Sequence, residues 1–379
     1  MFYAVVLRPP VAVVGPLLHE LSSNLNLNLS QQALLTSIPV FCFGFGAFAS
    51  TWLTRKIGLD RSLLLLIVVI VIALSFRAWF DFTMLLIGTT AAGLAIAIAN
   101  VILPSVVRSK FPKKIAPVTS AYTTVLAISA SLASSIAVPV SAAFGGWRNS
   151  MQLWFYPAVV ALFFWWLQQR QGMSVGLTQE KAQHHNWSVV LKHPITWALF
   201  AFFGIQSLGF YTMLSWLPSI LIDRGFTPAN AGGLLGLTTI IGVPFAMVLS
   251  SNFGKIKRLD LLGFAISIVT LAGFAVLVLL PNDPLIGCIL VGLGMANTFP
   301  LSLNWISTRA STAHQTTQLS AISQGFGYLL SGIGTFIFGQ LRDVSNSWTL
   351  PLLLMVALTA VQAGSAFVAG GRRHIPAAN

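Results

Sequence analysis

The sequence predicts an all-α membrane protein of twelve transmembrane helices, arranged as two six-helix bundles. Three observations carry this prediction: a composition unlike that of soluble domains, apolar runs of bilayer length, and an internal similarity at an offset near 200 residues. Of 379 residues, 56% are hydrophobic and 8% charged, with a mean hydropathy of +0.82. Soluble globular domains carry about 25% charged residues. Runs such as 62–76 and 261–280 approach or reach the ~20 residues that cross a hydrocarbon core of ~30 Å. They are continuous rather than alternating, so a backbone that must satisfy itself in lipid forms helices here and not barrel strands.

Taken in order, the spans fall at 1–20, 32–53, 62–80, 83–107, 116–143, 149–168, 194–221, 228–250, 259–280, 284–306, 316–341 and 348–370. The opening Met1-Phe2-Tyr3 reads as the middle of a helix, so a clipped chain is expected. A signal peptide fits poorly, because no basic residue precedes the apolar run and no small-residue cleavage site closes it.

Charge orients the bundle. Sixteen Lys and Arg fall in the loops and tail of one side, including Arg55, Lys56, Lys110, Lys257 and Arg372, whereas the opposite loops hold only Arg77, Arg148, Arg224 and Arg342. That asymmetry places both termini in the cytoplasm. The net charge of +13 then reflects topology and contact with anionic lipid rather than nucleic-acid binding. Cys42 and Cys288 lie in separate apolar spans, which indicates neither a disulfide nor a metal site.

The longest polar interruption, between residues 168 and 193, divides the chain into an N-terminal bundle (1–168), a cytoplasmic linker (169–193) and a C-terminal bundle (194–379). His184 and His185 stand in the linker, but adjacent histidines point apart and no further ligand completes a set, so no metal and no cofactor is expected. The halves repeat one another. Ala99-Asn100 precedes Pro104 in span four, and Ala296-Asn297 precedes Pro300 in span ten. Ser120-Ala121 and Trp147 return as Ser320-Ala321 and Trp348, at offsets of 200 and 201. Parallel six-helix halves related by an axis along the membrane normal match the major facilitator arrangement, which carries its site at the midplane between them. Prolines pair between the halves as well, Pro16 with Pro218 and Pro39 with Pro244, as expected of helices that flex during rocking.

Four segments carry a more specific resemblance: Leu7-Arg8-Pro9, Val14-Gly15-Pro16-Leu17-Leu18, Leu34-Leu35-Thr36-Ser37-Ile38-Pro39, and the stretch from Gly93 to Phe111. They resemble the cyanate and 2-nitroimidazole transporter family of the major facilitators over nearly the whole chain. Two positions depart from it. Val6 stands where family members usually carry Asn, and the facilitator-wide loop motif survives only as Trp52-Leu53-Thr54-Arg55-Lys56-Ile57-Gly58, without its Asp. The resemblance implies a monomeric, multi-pass protein of a bacterial inner membrane that carries small solutes.

Arg8 is the charged residue the sequence places deepest. A guanidinium at a helix centre costs about 2.5–3.5 kcal/mol on insertion scales, and no Asp or Glu occupies the apolar runs at that depth. This imbalance points to an anionic solute. On an uninterrupted helix Arg8, Ala12, Gly15 and His19 share one face, and the small residues between two basic ones would leave room for it. Polar residues at similar depth in the second half complete the candidate set: Gln206 and Tyr211 in span seven, Asn297 in span ten, and Gln324 and Tyr328 in span eleven. The eight acids all fall in loops or at span ends, so uniport or anion exchange is expected rather than strong proton coupling. Paired carboxylates, a nucleophile with its base and a metal set are missing at any one depth, which argues against an intramembrane enzyme. A carrier of a neutral, weakly polar compound such as a nitroimidazole is the alternative, with Arg8 as a hydrogen-bond donor only.

Overall fold

The computed structural model describes residues 2–111, 115–170, 187–311, 313–371 and 373–376. His184, His185 and most of the expected linker lie outside the described residues. Among the described residues ten helices are long and apolar enough to cross a bilayer, and a bent pair forms an eleventh span. Leu29–Ile57, a 29-residue helix, is the remaining span of the predicted twelve.

The spans run as follows. Span one comprises Phe2–Val6, Pro9–Ala12 and Val14–Leu25; spans two to five are Leu29–Ile57, Leu59–Phe76, Phe82–Lys110 and Ile115–Ala143. Span six is Trp147–Gln152 with Phe155–Arg170, and span seven is Pro194–Asp223. Span eight is broken into Pro228–Ile240 and Val243–Ser251, and spans nine and ten are Leu259–Leu279 and Leu285–Arg309. Span eleven joins Ala313–Ser320, a π-helical turn at Ala321–Phe326 and Gly327–Ser345; span twelve is Thr349–Ala369. Local chemistry sets the ends. Asn28 and Gln31 form a reciprocal capping box at the start of span two, satisfying N–H groups that a helix start leaves open. Asp81 caps span four through the Met84 N–H at 3.0 Å. Asn26 ends span one at φ 52°, and Gly58, at φ 83°, makes the tight turn from span two to span three.

Span one departs most from expectation. It extends to Leu25, so His19 and Glu20 lie within its outer segment rather than at its end. Nor is it one helix: the backbone opens at Leu7–Arg8, before the Pro9-Pro10 pair, and bends by 43° at Val13. Proline removes a donor and restricts the residue before it, which accounts for the first break.

The chain divides into two compact units, Met1–Gln179 with Leu214–Gly236, and Glu180–Met213 with Leu237–Asn379, so the division passes through the middle of span seven. In the first unit, Asp60 pairs with Lys110 at 2.8 Å. The Asp60 carbonyl accepts from Trp165 Nε1 and Gln169 Nε2 at 3.1 and 2.6 Å, which ties spans three, four and six at one end.

In the second unit, glycines set the approach of spans eight, nine and ten. A side chain at Gly242 would collide with Ala296 and the Gly292 carbonyl, at Gly273 with Val291, and at Gly292 with the Thr238 carbonyl. These helices meet backbone to backbone, as small residues permit in lipid.

Candidate functional site

In the first unit, Arg8 occupies the position before the short Pro9–Ala12 helix, half-buried, and its carbonyl accepts from Val11 and Ala12 N–H at 3.1 and 3.0 Å. The guanidinium therefore leaves span one at a discontinuity, not from the middle of a regular helix. The expected stripe from Arg8 to His19 is corrected accordingly, because the 43° bend at Val13 falls between its two ends. Gly15 provides no space for a solute: a β-carbon there would collide with the Leu214 carbonyl and lie 3.2 Å from that of Ser215. Its smallness serves close packing on span seven. His19 is exposed, and its carbonyl accepts from the Ser22 and Ser23 hydroxyls. Beside it, Glu20 accepts from Ser141 Oγ at 2.6 Å and from the Trp147 N–H at 2.9 Å.

In the second unit, Tyr211 and Tyr328 meet edge to face with ring centroids 6.1 Å apart, and Phe203 meets Tyr328 the same way at 5.2 Å. Phe299 continues the cluster, 6.0 Å from Phe203. Spans seven, ten and eleven thus share one aromatic group carrying two phenol hydroxyls. Gln206 is buried and accepts from Ser207 Oγ at 3.2 Å. Gln324 sits in the π-helical turn and donates to Ser320 Oγ at 2.6 Å. Such turns widen the helix locally and recur at functional positions.

Asn297 is buried; its Nδ2 donates to the Leu293 carbonyl at 2.7 Å, and its Oδ1 has no partner among the described residues. The residue lines a cavity of about 370 Å³ whose other walls are Phe245, Val248, Leu249, Ile266, Val269, Leu293 and Gly294. Apart from Asn297 its lining is apolar, and it is a groove open to the surroundings, with Phe245 and Val248 exposed on its wall.

Sequence reasoning passed over two residues. Asn100, in span four, leaves Nδ2 without a partner among the described residues; it was read as part of the repeat and not as a ligand. Arg77, read as an outer-loop cation, is 1% exposed. Its signal was available: Ala78, Trp79 and Phe80 follow it, so apolar residues flank it on both sides.

The Major Facilitator Superfamily model matches residues 4–335. The chain is 31% identical over 378 residues to the uncharacterized transporter YycB of Bacillus subtilis, covering 99% of this chain and 93% of that one. It is 29% identical to the 2-nitroimidazole transporter of Escherichia coli (99% and 95% covered) and 28% identical to the cyanate transport protein CynX of the same organism (94% and 93% covered). Among solved structures, a bacterial homolog of the human lysosomal transporter Spinster superposes with a TM-score of 0.78 at 14% identity, covering 97% of this chain and 95% of that one. A D-xylose–proton symporter does so at 0.76, also at 14% identity, with 99% and 96% covered.

Proposed function

We propose that this chain, which belongs to the major facilitator superfamily, carries a small anion across a bacterial inner membrane by alternating access, with Arg8 as its electrostatic anchor. The single observation behind the choice of an anion is the guanidinium at the break in span one. Broken membrane helices present backbone groups and side chains to solutes at depth, and a planar guanidinium fork matches carboxylates and other small oxyanions. The names of two relatives, a cyanate transport protein and a 2-nitroimidazole transporter, favour solutes of this size.

Gln206, Tyr211, Asn297, Gln324, Tyr328 and His19 are proposed as further residues that contact the solute. Both termini face the cytoplasm on the charge asymmetry, the chain acts as a monomer, and transport is uniport or exchange. A second reading, a neutral and weakly polar solute, is favoured by the aromatic cluster around Tyr328.

Proteoliposome counterflow tests the choice, preceded by a thermal-shift screen in which a ligand stabilises the protein by mass action. Selective stabilisation by cyanate or small carboxylates, with saturable counterflow of the same compound, supports the anion reading. Stabilisation and counterflow with 2-nitroimidazole and with none of the anions would replace it by the second.

A further inference from the structure

Arg77, just past the last helical residue of span three, is almost wholly buried, and its Nη1 donates to the Pro10 carbonyl at 2.9 Å. Pro10 belongs to the broken part of span one, two residues from Arg8. The Arg77 stem is fixed from the other side, because a β-carbon at Gly88 of span four would collide with that of Arg77. The side chain is therefore seated inward instead of extending to the headgroups as a terminal arginine ordinarily does. Its Nε and Nη2 have no hydrogen-bond partner among the described residues.

Those two nitrogens form one edge of the guanidinium, the edge whose parallel N–H bonds grip a pair of oxygens. Two other arginines of the same chain use that edge in this way. Arg258 places Nε and Nη2 on the Asp260 carboxylate at 3.0 and 2.9 Å. Arg309 places them on the carbonyls of Ala369 and Gly370, both at 3.0 Å. Burying a cation with an unmatched edge is costly, and a bound anion would offset that cost.

We propose that the Nε–Nη2 edge of Arg77 binds a small planar oxyanion, of the carboxylate or nitrate type, at a site separate from Arg8. The ligand class follows from the edge itself, so the inference stands whichever solute the protein carries.

Bromide and nitrate are suitable probes on the full-length protein. A crystal soaked in sodium bromide should show an anomalous peak within about 3.5 Å of Nε and Nη2; an ordered water there with no anomalous signal overturns the proposal. In solution, nitrate at constant ionic strength should raise the melting temperature of the wild type. Arg77→Met and Arg77→Lys should each weaken that protection roughly tenfold or more in nitrate concentration, since neither presents the paired donors. Arg8→Ala, measured in parallel, separates the two readings. Nitrate protection that survives Arg8→Ala and is lost with Arg77 supports the new site, whereas protection unchanged in Arg77→Met overturns it whatever Arg8→Ala does. Should Arg77→Met not yield a monodisperse protein, Arg77→Lys and the bromide density on the wild type decide.

Discussion

Each compact unit buries an arginine beside a helix break or end, and the two are held in opposite ways. Arg309 closes span ten and spans the last carbonyls of span twelve, Ala369 and Gly370, where a helix has no donors of its own and favours a cation. Its neighbours along the chain are tied down as well. The Ile375 N–H donates to the Arg309 carbonyl at 2.9 Å, Ser311 Oγ donates to the Ile375 carbonyl, and Gln315 Nε2 donates to that of Pro376. Arg77 is buried more deeply, 1% exposed against 8%, yet among the described residues one carbonyl meets it and its Nε–Nη2 edge has no hydrogen-bond partner. Depth of burial therefore does not separate structural from functional cations. What separates them is whether the Nε–Nη2 edge of the cation is matched within the fold.

The region around the break in span one should break functionally, and the corner around Arg309 should break structurally. The largest expected effect is Arg8→Ala, which should abolish counterflow in proteoliposomes while the purified protein stays monodisperse. Arg8→Lys should fail as well, because a point charge does not reproduce the fork. Normal uptake by Arg8→Ala would remove the functional side of the comparison.

Arg309→Ala should behave in the reverse sense, costing about 3 kcal/mol of stability because it leaves two buried carbonyls unmatched. Thermal unfolding in detergent measures this, and transport per folded molecule should hold. Ile375→Ala sharpens the same point. Ile375 is fully buried against Trp305 and Leu319, so its truncation should cost about 2 kcal/mol with no change in substrate preference. The smallest expected effect is that of an imposed pH gradient on vesicles. It should add little accumulation of a fixed-charge anion, because the acids of spans one and three are engaged: Glu20 with Ser141 and Trp147, Asp60 with Lys110. Robust uphill uptake abolished by an uncoupler would sink the uniport or exchange reading and direct attention to His19→Gln.

The spans were legible because continuous apolar runs admit one solution in lipid, and most predicted ends fall within a few residues of the observed ones. Span one was the exception. Pro9-Pro10 announced a break, but the steps from Arg8 to His19 fitted an unbroken helix equally well, and periodicity alone cannot report an interruption. The role of Gly15 was illegible for a related reason: the same small residue serves a vacancy or a close contact, and only the neighbouring backbone of span seven distinguishes them. Arg77 was missed because charge counting assigns a residue at the end of an apolar run to water, whereas Gly88, distant in sequence, turns it inward. The π-helical turn at Gln324 left no mark in the apolar pattern, since one widened turn hardly alters it.

The glycine contacts among spans eight, nine and ten have a consequence in conformational entropy. Locking a Leu or Ile into an interface removes about 0.5–1 kcal/mol of rotamer freedom, and a Met more, while a glycine has none to lose. Between apolar helices in lipid there is no water to expel, and association rests on dispersion and hydrogen bonds. At Gly242, Gly273 and Gly292 that dispersion is gained with no side chain on the glycine side to immobilise. Nor does a rotamer there remain to absorb displacement, so spans eight to ten are expected to shift as a block or not at all.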